Sequence, residues 1–143
     1  MNILVINGPN LNMLGIREPD IYGKQDFAAL EAFIRQAAQE CGAQVELFQS
    51  NHEGAIVDKI QWAYGKMDGI VINPAAYTHT SVALLDAVKA VGIPTVEVHV
   101  SDPDAREDFR HVSYIRAACV ATIRGHGLHG YLEALALLCE QHG

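Results

Sequence analysis

The sequence predicts a doubly wound α/β domain, a parallel sheet with helices on both faces. Three observations carry this. Short β-branched runs alternate five times with stretches of helical spacing, no repeat or low-complexity segment interrupts the series, and the length of 143 residues suits one such sheet. A chain of about this size buries roughly 68–70% of its unfolded surface, enough for a full core without disulfides or metal.

The elements follow in order. Residues 2–6 form the first strand candidate, and Phe27, Leu30, Ile34, Ala37, Ala38 and Cys41 then recur at helical spacing. A second strand spans 44–48. Ser50-Asn51-His52-Glu53 reads as a capping box that opens a helix through Ile56, Ile60 and Ala63. A third strand covers 69–72, and Thr80 or Ser81 caps the next helix, which Gly92 and Pro94 end. The fourth strand spans 94–100. Asp102-Pro103 pairs an N-cap with a proline at the first helical position and starts a short helix towards Arg110. A fifth strand at 118–123 and a helix at about 128–141 close the chain. Five strands at this length suggest the flavodoxin-like order 2-1-3-4-5 in a single domain over residues 1–143.

Composition excludes several function classes. Ten Lys+Arg against 17 Asp+Glu give a net charge of −7, and no basic residue neighbours another in sequence, which argues against a nucleic-acid partner. The longest apolar runs, such as Ile3-Leu4-Val5-Ile6, fall far short of a membrane span, and no basic segment precedes an apolar stretch as in a signal peptide. Cys41, Cys119 and Cys139 are odd in number and lack ligand spacing, so they read as reduced, mostly buried thiols of a cytoplasmic protein.

One segment breaks the rhythm. Residues 7–25 hold two prolines and three glycines with no clear period, where most βα connections take two to six residues. Asn7, Asn10, Asn12, Arg17 and Tyr22 give it chemical content, so residues 8–25 or so are expected to be a lid. In open α/β sheets ligands bind beyond the carboxyl ends of the strands at the switch in strand order. Here that point collects Asn7-Gly8-Pro9-Asn10 from the first strand and Asn73-Pro74 from the third. Each asparagine alone reads equally well as a turn cap; the set points to a site.

The fourth strand carries the sharpest signal. Period-2 alternation in Thr95-Val96-Glu97-Val98-His99-Val100 puts Glu97 and His99 on one face. A Glu–His pair in a strand buried on both faces is costly unless used or neutralised. Glu97 holding one ring nitrogen would raise the basicity of His99 and leave the other nitrogen for proton transfer, although a satisfied buried histidine has the same pattern. His79 starts the third helix, where it either meets a ligand or helps the cap. Tyr22 would need its phenol lowered by roughly 3 pKa units, about 4 kcal/mol, to act as a base at neutral pH. Locally, Tyr22 reads as a loop anchor and Arg17 as solvated.

Two motif matches are rejected. Gly125-His126-Gly127-Leu128-His129-Gly130 fits G-x-G-x-x-G, but too little chain follows for the next strand and its acid, so tight helix–strand packing is expected. The Gly8–Gly15 loop lacks the G-K-[ST] ending of a phosphate loop. His126 and His129 lack an acidic companion at metal spacing, so no metal is expected.

Taken together, these segments resemble the type II 3-dehydroquinate dehydratases over essentially the whole chain. The blocks are Asn7-Gly8-Pro9-Asn10-Leu11-Asn12, Arg17-Glu18-Pro19-Asp20-Ile21-Tyr22-Gly23 and Gln49-Ser50-Asn51-His52-Glu53-Gly54, then Ile72-Asn73-Pro74 and Thr78-His79-Thr80-Ser81. Glu97-Val98-His99-Val100-Ser101, Arg106-Glu107-Asp108-Phe109-Arg110 and Gly130-Tyr131 complete them. The resemblance implies a cofactor-free and metal-free hydro-lyase of the shikimate pathway, a homo-oligomer built from trimers into a dodecamer. It implies Tyr22 as the base, Arg17 stabilising its phenolate, Asn10 stabilising an enolate through a water, and His99 as the acid oriented by Glu97. Asn73, His79, Arg110, the Val100 backbone and Ser101 would hold 3-dehydroquinate, and Asp86 would reach a neighbouring subunit's site. The chain departs from the family's usual residues at Ala75, Ala76, Arg116, Arg124 and His126. A flavodoxin-like small-ligand or FMN-binding module is the alternative, but such a module would want a Ser/Thr-rich loop where Asn7-Gly8-Pro9-Asn10 stands.

Overall fold

The computed structural model describes residues 1–16, 26–102 and 107–142. Five strands, β1 (Asn2–Asn7), β2 (Gln44–Gln49), β3 (Gly69–Asn73), β4 (Thr95–His99) and β5 (Ala121–Arg124), form one sheet in the order β2-β1-β3-β4-β5. Every pairing is parallel. The helices are α1 (Phe27–Cys41), α2 (Glu53–Trp62), α3 (Val82–Val91) and α4 (His129–His142).

The alternation of strand side chains divides the core in two. Ile3, Val5, Val71, Val96 and Val98 point to the face covered by Leu30 and Ile34 of α1 and by Tyr131, Leu135 and Leu138 of α4. Leu4, Ile6, Ile70 and Ile72 point to the other, under Ile56 and Ile60 of α2 and Leu84 and Val88 of α3. Because both faces are covered, β1, β3 and β4 are almost wholly buried.

Local signals set most helix ends. The Asp26 carboxylate accepts from the Ala29 N–H at the start of α1, and the Ser81 hydroxyl from the Leu84 N–H at the start of α3. Gly42 and Gly92 end α1 and α3 in the left-handed conformation. Two expectations need amendment. The capping box does not form: His52 is the N-cap of α2, and the Ser50 hydroxyl accepts from the His52 N–H at 3.0 Å, a local turn that competes with capping. The last strand begins later than residue 118, because Ile115–Ala118 is a 3₁₀ turn that the Cys119 N–H closes onto the Arg116 carbonyl. The cysteines are free thiols and largely buried, as expected. The expected proline start after Asp102 lies outside the described residues, beyond which a 3₁₀ turn spans Asp108–His111.

Two backbone features shape the carboxyl edge of the sheet. The Gly8 N–H donates to the Asn73 carbonyl at 2.8 Å, and a Cβ on Gly8 would lie 2.6 Å from the Pro74 carbonyl oxygen. Only glycine lets the loop after β1 close against the end of β3. Ala75 has φ of 53°, and its N–H is held by the Asn73 side-chain oxygen at 3.1 Å. A β-carbon in the left-handed region costs about 1 kcal/mol. Ala75→Gly is therefore expected to leave stability unchanged or raise it by up to about 1 kcal/mol, read as the denaturation midpoint at constant m.

The first part of the expected lid holds a 3₁₀ turn at Leu11–Met13, with Leu11 and Leu14 buried beneath it. Residues 17–25, with Arg17 and Tyr22, lie outside the described residues. No helix among the described residues is long and apolar enough to cross a membrane.

Candidate active site

The carboxyl end of β4 holds a fully buried carboxylate. Glu97 is 0% exposed and His99 6%. Strand alternation puts both on the face opposite Val96 and Val98, and neighbouring elements supply polar partners there. Glu97 Oε2 accepts from Thr78 Oγ1 at 2.7 Å, from Ser113 Oγ at 2.9 Å and from His99 Nε2 at 2.5 Å. Glu97 Oε1 accepts from Ser113 Oγ at 3.1 Å and Thr122 Oγ1 at 3.3 Å. Burial pushes the Glu97 carboxyl up, but the bonds and charge of His99 and the hydroxyls of Thr78 and Ser113 outweigh it and hold it below the usual carboxylate range.

An ionised carboxylate only accepts, so Nε2 of His99 carries a proton and Nδ1 is the nitrogen left for chemistry. The sign of the linked stability follows. Between the ordinary carboxyl range and the lowered native value, the unfolded chain binds a proton at residue 97 that the native chain refuses. Stability from Glu97 is therefore complete above about pH 4.5 and lost as pH falls through the native value. Thermal melts from pH 3 to 6 should show a steeper acid decline for the wild type than for Glu97→Gln.

Around this pair stand His79 and Arg110. His79 Nδ1 donates to the Val112 carbonyl at 2.7 Å, which leaves Nε2 as the free nitrogen. Burial first, then the charges of His99 and Arg110, hold His79 below its ordinary value against the pull of Val112 and Glu97. Those mutual influences put His79, His99, Glu97 and Arg110 in one neighbourhood. Arg110 is braced by Glu107, with Nε donating to Oε2 at 2.6 Å, and its guanidinium lies 5.0 Å from the Phe109 ring centre.

The asparagines converge as the switch point requires. A buried chain links them: Tyr131 OH donates to Asn7 Oδ1 at 2.6 Å and accepts from Asn73 Nδ2 at 3.0 Å. Burial drives the Tyr131 phenol further above its usual value, so it stays protonated and serves as a strut. The Asn73 amide keeps one more N–H. Asn10 adopts φ of 70°, and its N–H donates to Asn51 Oδ1 at 2.9 Å, which leaves its own side chain exposed. Gln49 Nε2 spans the Gly8 carbonyl, Asn12 Oδ1 and Asn51 Oδ1 at 3.2, 3.3 and 3.2 Å.

The glycine motif after β5 braces the turn that follows His99. The Gly127 N–H donates to the Val100 carbonyl and the Gly125 N–H to the Ser101 carbonyl. A Cβ on Gly130 would meet Ile123 and Val98 at 3.3 Å, which is the tight helix–strand packing expected of it. Asp86 is exposed on α3, away from these bonds. Thr78, Ser113, Thr122 and Tyr131 join the site without any residue pattern that singles them out. Thr122 stands beside Glu97 through the β4–β5 register, which only the assembled sheet fixes.

A family model described as dehydroquinase class II matches residues 1–139. The chain belongs to the class II dehydroquinase family. Among similar proteins is the 3-dehydroquinate dehydratase of Caldicellulosiruptor bescii, 57% identical over 139 residues and 96% of each chain. The catabolic 3-dehydroquinase 1 of Aspergillus terreus is 58% identical over 134 residues, 94% of this chain and 88% of the relative. The crystal structure of type II dehydroquinase from Butyrivibrio crossotus superposes with a TM-score of 0.95 at 52% identity, covering 96% of this chain and 97% of that one. This class II dehydroquinase chain thus shares its flavodoxin-like sheet order and nearly its whole length with that structure.

Proposed function

We propose that this chain is a type II 3-dehydroquinate dehydratase of the shikimate pathway, a hydro-lyase that removes water from 3-dehydroquinate by anti elimination to give 3-dehydroshikimate. The observation that carries the reading is the buried Glu97–His99 pair at the end of β4, with one ring nitrogen tied and the other free.

The chemistry runs in two proton transfers. The C2 hydrogen lies next to the C3 ketone, so its removal leaves an enolate rather than a bare carbanion. Tyr22, as phenolate, takes that proton; Arg17 stabilises the phenolate, and Asn10 stabilises the enolate through a water. The electron pair then expels the C1 hydroxyl, which His99 protonates from Nδ1, so the C1–O bond breaks and water leaves. Glu97 holds the ring and balances the imidazolium. The remaining Asn73 amide N–H, His79 Nε2 and Arg110 bind the hydroxyl groups and hold the ring, while the Val100 backbone and Ser101 take the carboxylate. No step asks for a cofactor or metal.

The lid over 8–25 would close on the bound ring, and residues 1–143 act as one catalytic domain. Assembly as trimers into a dodecamer goes with this reading, with the exposed Asp86 of α3 turned to a neighbouring subunit's site in a cytoplasmic enzyme. The direct test is ultraviolet absorbance. The purified chain mixed with 3-dehydroquinate should generate the conjugated enone of the product at a rate proportional to enzyme. A trace no faster than the enzyme-free control refutes the reading.

A further inference from the structure

A second charge stands behind Glu97. Arg116 lies on the 3₁₀ turn Ile115–Ala118, which buried Ile115 anchors and the Cys119 thiol ties by donating to the Ile115 carbonyl at 3.3 Å. Its Nε is 3.9 Å from Glu97 Oε1. That Nε is buried and makes no hydrogen bond, while 37% of the side chain remains exposed. A buried, unpaired N–H is unfavourable by itself. The field of the carboxylate is what offsets it.

The two oxygens of Glu97 are unequal. Oε2 takes the short bonds from Thr78 and His99, whereas Oε1 has only hydroxyl contacts at 3.1 and 3.3 Å and then the guanidinium. The carboxylate is thus held between the His99 ring and the Arg116 guanidinium. Part of its charge is compensated by Arg116, so less of it acts to keep a proton on the imidazole. We propose that Arg116 is a positioning residue that sets, through Glu97, how readily His99 gives up its proton.

Among the described residues, the other groups facing the pair stay constant in the comparison. His79, on the turn Ala75–His79, is held uncharged at neutral and higher pH by its burial. Arg110 is paired with Glu107. Burial pushes the Cys119 thiol up to about 12, so it remains neutral. Arg124 stands opposite His99 on β5, and its Nε lies 4.0 Å from Asp102 Oδ1. Thr78, Ser113 and Thr122 carry no charge. A change on replacing Arg116 therefore reports its own charge.

The use made of the proton rests on the proposed reaction; the ring titration does not. The test is Arg116→Gln, read in two ways: the NMR titration of the His99 ring, assigned by its loss in His99→Ala, and the pH profile of kcat/KM. Loss of the guanidinium should move both the ring midpoint and the alkaline limb upwards by about 0.5–1 pH unit. Arg116→Lys, which keeps a charge, should recover most of that shift. Arg116→Met gives the same reading if the glutamine variant does not fold. A ring midpoint that stays within about 0.2 unit of wild type overturns the proposal, even if kcat falls, because packing alone predicts a lower rate at unchanged midpoints. If no dehydratase activity is found in the wild type, the proposed reaction fails while the ring titration still decides the role of Arg116.

Discussion

Tyr22→Phe is expected to abolish nearly all turnover while substrate affinity stays within about tenfold. The change deletes one oxygen, and under the proposed mechanism that oxygen is the base. A phenol with an ordinary pKa near 10 is almost wholly protonated at neutral pH, so the reading demands a source of stabilisation worth roughly 4 kcal/mol. Burial is the wrong source: at Tyr131 it pushes the phenol up even though Asn73 donates to the oxygen. A nearby cation moves a phenol the other way, and Arg17, five residues earlier in the chain, is the proposed one. Binding through Asn73, His79 and Arg110 does not use the phenolic oxygen. Steady-state kcat together with calorimetric affinity for a product analogue separates the two effects. A variant that keeps a tenth of wild-type kcat would show that Tyr22 is not the base.

His99→Ala should lower kcat by about 10²–10⁴-fold, and Glu97→Gln by less. The alanine variant removes the only group proposed to protonate the departing hydroxyl. The glutamine variant keeps an acceptor for Nε2 and keeps the ring in place, but it removes the charge that balances the imidazolium. Thr78 and Ser113 help it survive, because a hydroxyl can turn to satisfy an amide as well as a carboxylate. KM should change little in either variant, since the ring acts on the leaving group rather than anchoring the substrate. Rates at saturating substrate test this, and a His99→Ala enzyme with wild-type kcat would sink the assignment.

What the chain determines by itself is local in origin. Period-2 alternation depends only on neighbouring residues, and it places Glu97 and His99 on one face and the valines on the other. The Ser81 cap and the Gly92 stop need no more than one helical turn. Apolar runs framed by such signals give the order of elements, and the parallel sheet with its switch point follows from that order. Even here a local rule fails when two local bonds compete, as at Ser50, whose hydroxyl takes the His52 N–H and leaves the cap. Tertiary structure alone decided the rest. Tyr131 meets Asn7 across 124 residues and Asn73 across 58, and Thr78, Ser113 and Thr122 reach Glu97 from a 3₁₀ turn, a loop and a strand. No spacing rule links such residues, because their distance is set by how helices and turns pack onto the sheet. The same packing brings the Arg116 guanidinium to the far side of the Glu97 carboxylate. A buried charge must find its partners wherever the fold supplies them, so a sequence can reveal that Glu97 needs partners without revealing which residues they are.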